Sequence, residues 1–309
     1  MISGAIFSLL AAFLRVLALL PLGALYVLSD IVFIVLFHIV RYRRAVVSDN
    51  LRQCFPDKDD RWIRHTARVF YRNFADYIFE TIKLLHISDE EMMRRMRFEN
   101  VGLIERSLDS GRSVAVYFSH CFNWEWAPSV VLHFRRRESG DTPVVPAQVY
   151  RPLRDRHFDL LMLRLRSRFG SESFAKSNVF RDLIRIRREG SLSVTGFMSD
   201  QKPSHGDPTY VTMFLNRPTA MITGTETLAR KLGMAAVYWD MEKIRRGYYR
   251  IVCREISPDV SASPHNFATE TYTRMLETTI MRNPSIWLWT HKRWKYPVTL
   301  QTSDHGERK

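Results

Sequence analysis

The hydrophobic pattern of this chain changes character along its length. Over residues 5–40 almost every position is apolar, and the run is broken by Arg15, Pro21, Asp30 and His38. A helix needs about 20 mostly apolar residues to cross a bilayer, and residues 16–40 are enough. Pro21 and Asp30 predict a kinked or tilted segment, part of it in the membrane interface. A cleaved signal peptide would start with basic residues and end at a small-residue cleavage site. Residues 1–4 carry no positive charge and no such site precedes Pro21, so the segment reads as a retained anchor. The competing reading is a pair of buried helices in a soluble protein, although few soluble helices are apolar on every face.

Beyond residue 44 the pattern becomes periodic. Residues 57–97 predict helix, with Ile63, Ala67, Phe70, Phe74 and Ile78 at helical spacing and no glycine or proline between them. A short helix over 103–110 ends at Gly111, and 113–119 is a β-prone run expected to be a buried strand. Residues 124–134 predict helix, with Pro128 in its first turns. Strands are predicted at 142–150, 191–198 and 235–240, and helices at 158–169, 180–188 and 223–231. Strands alternating with helices indicate an α/β fold. The expected architecture is a mixed, mostly parallel sheet flanked by helices, with an N-terminal membrane-anchor helix at 1–44 and the sheet-bearing domain at 45–309.

Composition narrows the choice of partner. The chain of 309 residues has 46 Lys and Arg against 32 Asp and Glu, a formal charge of +14. Such a surplus favours polyanions: nucleic acid, anionic membrane, an acidic protein or a phosphorylated substrate. No nucleic-acid-binding motif is present, and the aromatics sit in apolar runs instead of alternating with Lys and Arg. Cys54, Cys121 and Cys253 are far apart and form no CxxC pair, which gives neither a disulfide framework nor a metal motif. Free thiols suit a reducing compartment. Arg41, Arg43 and Arg44 directly follow the apolar run and, under the positive-inside rule, hold the rest of the chain in the cytoplasm.

The candidate chemistry lies where the 113–119 strand ends, in Ser119-His120-Cys121-Phe122-Asn123-Trp124-Glu125. Open α/β sheets place their sites at the carboxyl ends of strands. Histidine is the side chain most easily tuned to accept a proton near neutrality, and Glu125 follows five residues later. Across a strand-to-helix turn its carboxylate is expected to fold back onto His120 and fix the tautomer, as the acid of a hydrolase triad does. Ser119 and Cys121 are poor nucleophiles for this base, because adjacent residues of an extended strand point to opposite faces. A dyad without its own nucleophile suits activation of a hydroxyl on the substrate.

H-x4-E after an apolar strand and an N-terminal anchor resembles the late acyltransferases of lipid A biosynthesis, the lauroyl and myristoyl transferases, within the H-x4-D/E glycerolipid acyltransferase superfamily. Further segments carry the likeness: Tyr150-Arg151-Pro152 with Arg164-Leu165-Arg166, then Phe197 to Gln201 as an F-x-x-D-Q block, and Trp287 to Lys295 near the C-terminus. Arg41 to Arg44 with Asn50-Leu51 and Phe55-Pro56 matches the family's segment after the anchor. The resemblance implies that His120 is a general base, that Glu125 is its partner, and that the acyl donor is an acyl carrier protein thioester. It makes Asn123, Arg151, Arg164, Arg166 and Asp200 expected substrate-site residues, with no cofactor and no metal. The implied acceptor is a hydroxyl of a lipid A precursor at the bacterial inner membrane, with no nucleic-acid partner. An acidic carrier and a phosphorylated lipid both suit the basic balance, and Arg is favoured for bidentate phosphate contacts. Arg135, Arg136 and Arg137 read as a membrane-facing or solvated cluster, and His291 and Arg293 as phosphate contacts or caps of the last element. A lysophospholipid or acylated amino-lipid acceptor and a lipid esterase are the competing activities.

Overall fold

A computed structural model describes residues 4–134 and 141–300. The Arg135, Arg136 and Arg137 cluster lies outside the described residues.

The N-terminal apolar run folds as two helices in place of one rod. Helix α1 (Gly4–Leu19) stops before Pro21, and α2 (Leu22–Ile34) starts from it and continues into a π-helical turn, Val35–Ile39. Proline lacks the amide hydrogen and crowds the preceding turn, so the break falls there. Leu22–Ile39 is long and apolar enough to cross a membrane, whereas α1 is shorter. Helix α3 (Arg44–Cys54) follows. The helical stretch predicted for 57–97 resolves into α4 (Asp60–Lys83) and α5 (Asp89–Arg95). Asp59 accepts the Trp62 amide at 2.7 Å and Ser88 the Glu91 amide at 3.1 Å, so each helix starts at a side-chain cap. The second cap, and no glycine or proline, marks the division. A strand that the periodicity did not predict, β1 (Met96–Glu99), comes next.

From there helices and strands alternate as the pattern predicted: α6 (Gly102–Asp109), β2 (Val114–Phe118), a 3-10 helix at Trp124–His133, β3 (Val144–Tyr150) and α7 (Arg156–Arg166). The short strand β4 (Glu172–Ala175), α8 (Val179–Arg188) and β5 (Leu192–Met198) follow. Next come the hairpin β6 (Thr209–Phe214) and β7 (Arg217–Ile222), then α9 (Gly224–Leu232). The chain closes with β8 (Ala235–Arg245), β9 (Tyr248–Ser257) and α10 (Phe267–Arg282).

Among the described residues the main sheet has seven strands in the order β1-β9-β8-β2-β5-β3-β4, and β6 pairs only with β7. Every neighbouring pair in the main sheet is parallel except β8 with β9. The sheet is mixed and mostly parallel, as expected. Strand β2 lies near its centre and all five of its residues are buried, which is why it reads as an unbroken apolar run. The register of β2 on β5 sets Phe118 beside Met198. Residues two steps beyond each strand end, His120 and Asp200, therefore emerge side by side.

Candidate active site

His120 leaves the carboxyl end of β2 and Asp200 leaves that of β5. Asp200 Oδ1 sits 2.8 Å from His120 Nδ1, and Oδ2 accepts the His120 amide at 3.0 Å. The Trp287 indole also donates to Oδ2, at 2.9 Å. Asp200 is wholly buried, and burial by itself would raise its pKa. The charge and hydrogen bonds of His120, with the Trp287 bond, outweigh that and hold the carboxyl below its usual range. A carboxylate on Nδ1 keeps the proton there and leaves Nε2 as the basic nitrogen.

The partner of His120 is thus Asp200, and the expectation that Glu125 would orient the ring requires correction. Asn123, the cap of the 3-10 helix, accepts the Glu125 amide at 3.1 Å. Glu125 then faces α7. Arg166 grips it in a two-pronged bond, Nε to Oε2 at 2.9 Å and Nη2 to Oε1 at 2.6 Å, and the Trp124 indole adds a donor at 3.1 Å. Burial lowers the Arg166 pKa, but the bonds and charge of Glu125 raise it above the ordinary value, so the guanidinium keeps its charge. Parallel register delivered one carboxylate to the imidazole, and the turn after β2 sent the nearer one elsewhere.

His120, Glu125 and Arg166 line a cavity of about 580 Å³. Arg151, at the end of β3, also lines it, together with Lys176 and Lys202. The rest is largely hydrocarbon and aromatic, including Phe118, Trp124, Val149, Phe197, Met198 and Leu228. Basic groups and a predominantly apolar lining suit a ligand with an anionic head and a hydrocarbon body.

Three residues expected at the substrate do not line the cavity. Asn123 is completely buried and its amide donates to Glu80 at 3.0 Å, so it builds the loop and is absent from the cavity wall. Arg164 is exposed on the outer side of α7, away from the cavity, because the helical turn that aims Arg166 inward turns Arg164 outward. Asp200 sits behind His120 and does not itself line the cavity. Glu80 escaped notice in the sequence although a signal was present. Asn73, Asp76, Glu80 and Lys83 recur at helical spacing and are all buried in α4, an unusual polar stripe. Glu80 accepts bonds from Asn123, Tyr26 and Tyr249, and burial raises its pKa. Trp287 was seen only as part of a motif, and its bond to Asp200 depends on a chain reversal that the motif does not encode.

The thiols offer no nucleophile. Burial pushes each of Cys54, Cys121 and Cys253 up to about 12, so all stay protonated near neutrality. Arg293 is buried, donates to the Ala220 carbonyl at 2.6 Å and ties the C-terminal tail to β7, apart from the cavity. Burial lowers His291 to about 4, and its Nδ1 finds no hydrogen-bond partner among the described residues. In the unfolded chain this histidine titrates near pH 6.5. Between about pH 6.5 and 4 the unfolded state therefore binds more protons, so stability rises with pH across that window and is lost on acidification. Urea unfolding at pH 7.5 and pH 5 is expected to show a smaller pH dependence for His291→Gln than for the parent. An equal dependence in both proteins would refute this.

The model of a protein family described as bacterial lipid A biosynthesis acyltransferase matches residues 1–296 of the chain. The chain is also similar to a lipid A biosynthesis palmitoleoyltransferase of Escherichia coli (strain K12), 22% identical over 262 residues, which covers 83% of this chain and 80% of that protein. A lipid A biosynthesis acyltransferase of Shigella flexneri matches with the same identity and coverage.

Proposed function

The chain belongs to the bacterial lipid A biosynthesis acyltransferase family, and on that premise we propose that it moves a fatty acyl chain from an acyl carrier protein thioester to a hydroxyl of a lipid A precursor. Membership supports acyl transfer in lipid A assembly. The donor, the acceptor hydroxyl and the residue roles are our reading. The observation that carries it is the His120–Asp200 pair at 2.8 Å beside an apolar cavity with basic groups in its wall.

In this mechanism the acceptor hydroxyl donates to His120 Nε2. Its oxygen attacks the thioester carbonyl as the proton moves to the ring, and Asp200 stabilises the imidazolium. The tetrahedral oxyanion needs donors already in place. Arg166 is suited to this, since Glu125 engages its Nε and Nη2 and, among the described residues, no hydrogen bond engages Nη1. Collapse breaks the carbon–sulfur bond, and the imidazolium returns its proton to the departing thiolate. No metal and no acyl-enzyme take part. Arg151 and Lys202 are suited to the phosphates of the acceptor, and the hydrocarbon wall to the acyl chain. In this reading the reaction takes place at the inner membrane with the catalytic domain on its cytoplasmic side, and the apolar run with the arginines that follow it supports a membrane location.

Mass spectrometry of lipid A from cells with and without this protein tests the acceptor. Loss of one acyl chain is the expected result, and an unchanged lipid A would overturn it. Purified protein given one acyl carrier thioester and either a lipid A precursor, a lysophospholipid or an acylated amino-lipid separates the remaining acceptors.

A further inference from the structure

Helix α2 has the length of a membrane span, but its surroundings do not suit one. One side of it, at Leu22, Leu25, Ser29 and Phe33, is buried. Ser29 donates to Asp76 at 2.7 Å and Tyr26 to Glu80 at 2.9 Å, both on α4. Asp30 pairs at 2.8 Å with Arg246, from the β8–β9 turn, and Arg246 also binds Asp76. Arg72 of α4 stacks over Phe33 at 5.2 Å. Asp30 stands midway along the apolar stretch. If Leu22–Ile39 crossed a bilayer, Asp30, Arg246, Asp76 and Arg72 would all enter the hydrocarbon with it, together with the irregular backbone of a strand turn. Hydrocarbon excludes such groups.

Helix α1 is fastened to the same body at both ends. Lys83 donates to the Ala18 and Leu20 carbonyls at 3.0 and 2.9 Å, capping its final turn. Near its start Phe7 stacks on His157 with ring centres 5.0 Å apart, and meets Phe158 at 5.4 Å. Both partners belong to α7, whose preceding loop contributes Leu153 to the cavity wall. The opposite side of α1 carries Ile6, Leu9, Phe13, Val16 and Leu19, each more than half exposed and spaced at three- and four-residue steps. Val27, Ile31, Ile39 and Val40 continue that exposure along α2 and its extension. Exposed arginines flank it: Arg15 within α1, Arg41 directly after Val40, Arg72 beside Phe33, and Arg245 next to the exposed Ile244.

We propose that α1 and α2 form a monotopic membrane face: a lipid-facing surface embedded in one leaflet, with the N-terminus on the same side as the catalytic domain and the cavity opening beside α1. The occupant of the face is an anionic phospholipid layer. Its acyl chains meet the aliphatic stripe, and its headgroups meet the flanking arginines, as for an amphipathic helix lying in the interface. This rests on the acyl-transfer reading only in taking a membrane as the place of action. An acceptor lipid would then reach the cavity sideways, past α1, without leaving the leaflet.

Protease treatment of the full chain carrying an N-terminal epitope tag tests the topology. Digestion of the tag in inverted inner-membrane vesicles, with protection in intact spheroplasts, is the expected result. Digestion from the spheroplast side, or protection in both preparations, overturns the proposal in favour of a span or a buried terminus. The triple variant Leu9→Asp, Phe13→Asp, Ile31→Asp should melt as the parent does and lose its sedimentation with vesicles of phosphatidylethanolamine and phosphatidylglycerol. If it still sediments while a parental dimer becomes a monomer, the face seats a second copy and the lipid assignment fails. Acyl transfer is measured on the same vesicles. Absent transfer with the expected tag sidedness would sink the functional reading and leave the topology standing.

Discussion

Asp200→Asn is expected to lower kcat about a thousandfold to ten-thousandfold, the scale seen when a catalytic histidine is left in the wrong tautomer, with KM little changed. The carboxylate accepts three bonds, from the His120 ring, the His120 amide and the Trp287 indole. An amide of the same shape can keep two of them. Turned toward the ring, however, its NH2 donates to Nδ1 and moves the proton to Nε2, the nitrogen that must receive the acceptor's proton. Asparagine also carries no charge to offset the imidazolium. His120→Ala should cost about a hundredfold to ten-thousandfold by removing the base itself, and the double variant should be little worse than either single one, since the two groups act as a unit. Steady-state kinetics on protein with an unaltered melting temperature reads this out. The decisive comparison is with Glu125→Gln. Near-normal turnover in Asp200→Asn alongside abolished turnover in Glu125→Gln would return the orienting role to Glu125.

Glu125→Ala is expected to cost about 3–5 kcal/mol of stability, the usual penalty for stranding one member of a buried ion pair. Glu125 is 3% exposed and Arg166 22%, so the guanidinium left behind recovers little water. Arg166→Ala should be comparably damaging, because it strands the more deeply buried charge. Replacing both, by Glu125→Met with Arg166→Leu, should cost much less than the sum of the singles, since similar apolar volume removes the unpaired charge along with the pair. Urea unfolding of the three variants gives the coupling directly. If Glu125→Ala falls within about 0.5 kcal/mol of the parent, as an ordinary surface substitution does, the pair is not the structural clamp described here. The same clamp is why Glu125 variants are expected to lose activity through two routes, loosening of the 3-10 helix and misplacement of Arg166. A raised KM together with a lowered melting temperature would identify them.

Much of the architecture was legible because its signals are local. The apolar run of 113–119 declared β2, Gly111 ended a helix, and the long periodic stretch before residue 97 declared the helical region that α4 and α5 fill. What escaped included the four-residue β1 and β4, too short to show a period, and also the longer β9 and α10, of ten and sixteen residues, which were not predicted. The β6–β7 hairpin has no distinctive turn sequence. The division of the N-terminal run at Pro21 was foreseeable as a kink, but the packing of α2 on α4 was not, because the polar side of an otherwise apolar helix is only three residues: Tyr26, Ser29 and Asp30.

The candidate site separates along the same line. From the sequence alone came the position of the base at a strand end, a carboxylate a few residues beyond it, the arginines on α7 and an aspartate in the F-x-x-D-Q block. The first two follow from spacing within one segment, and the arginines and the aspartate from the resemblance of their segments to the family's motifs. Which carboxylate meets the imidazole was decided only by the fold, because His120 and Asp200 lie 80 residues apart and are joined by the register between two parallel strands. The turn after β2 gave Glu125 to Arg166 and buried Asn123 against Glu80, and the helical phase of α7 turned Arg164 to solvent. Local sequence specifies what each segment becomes. Pairing between segments is set by packing and hydrogen-bond register across the whole sheet, and no single stretch of chain contains that information.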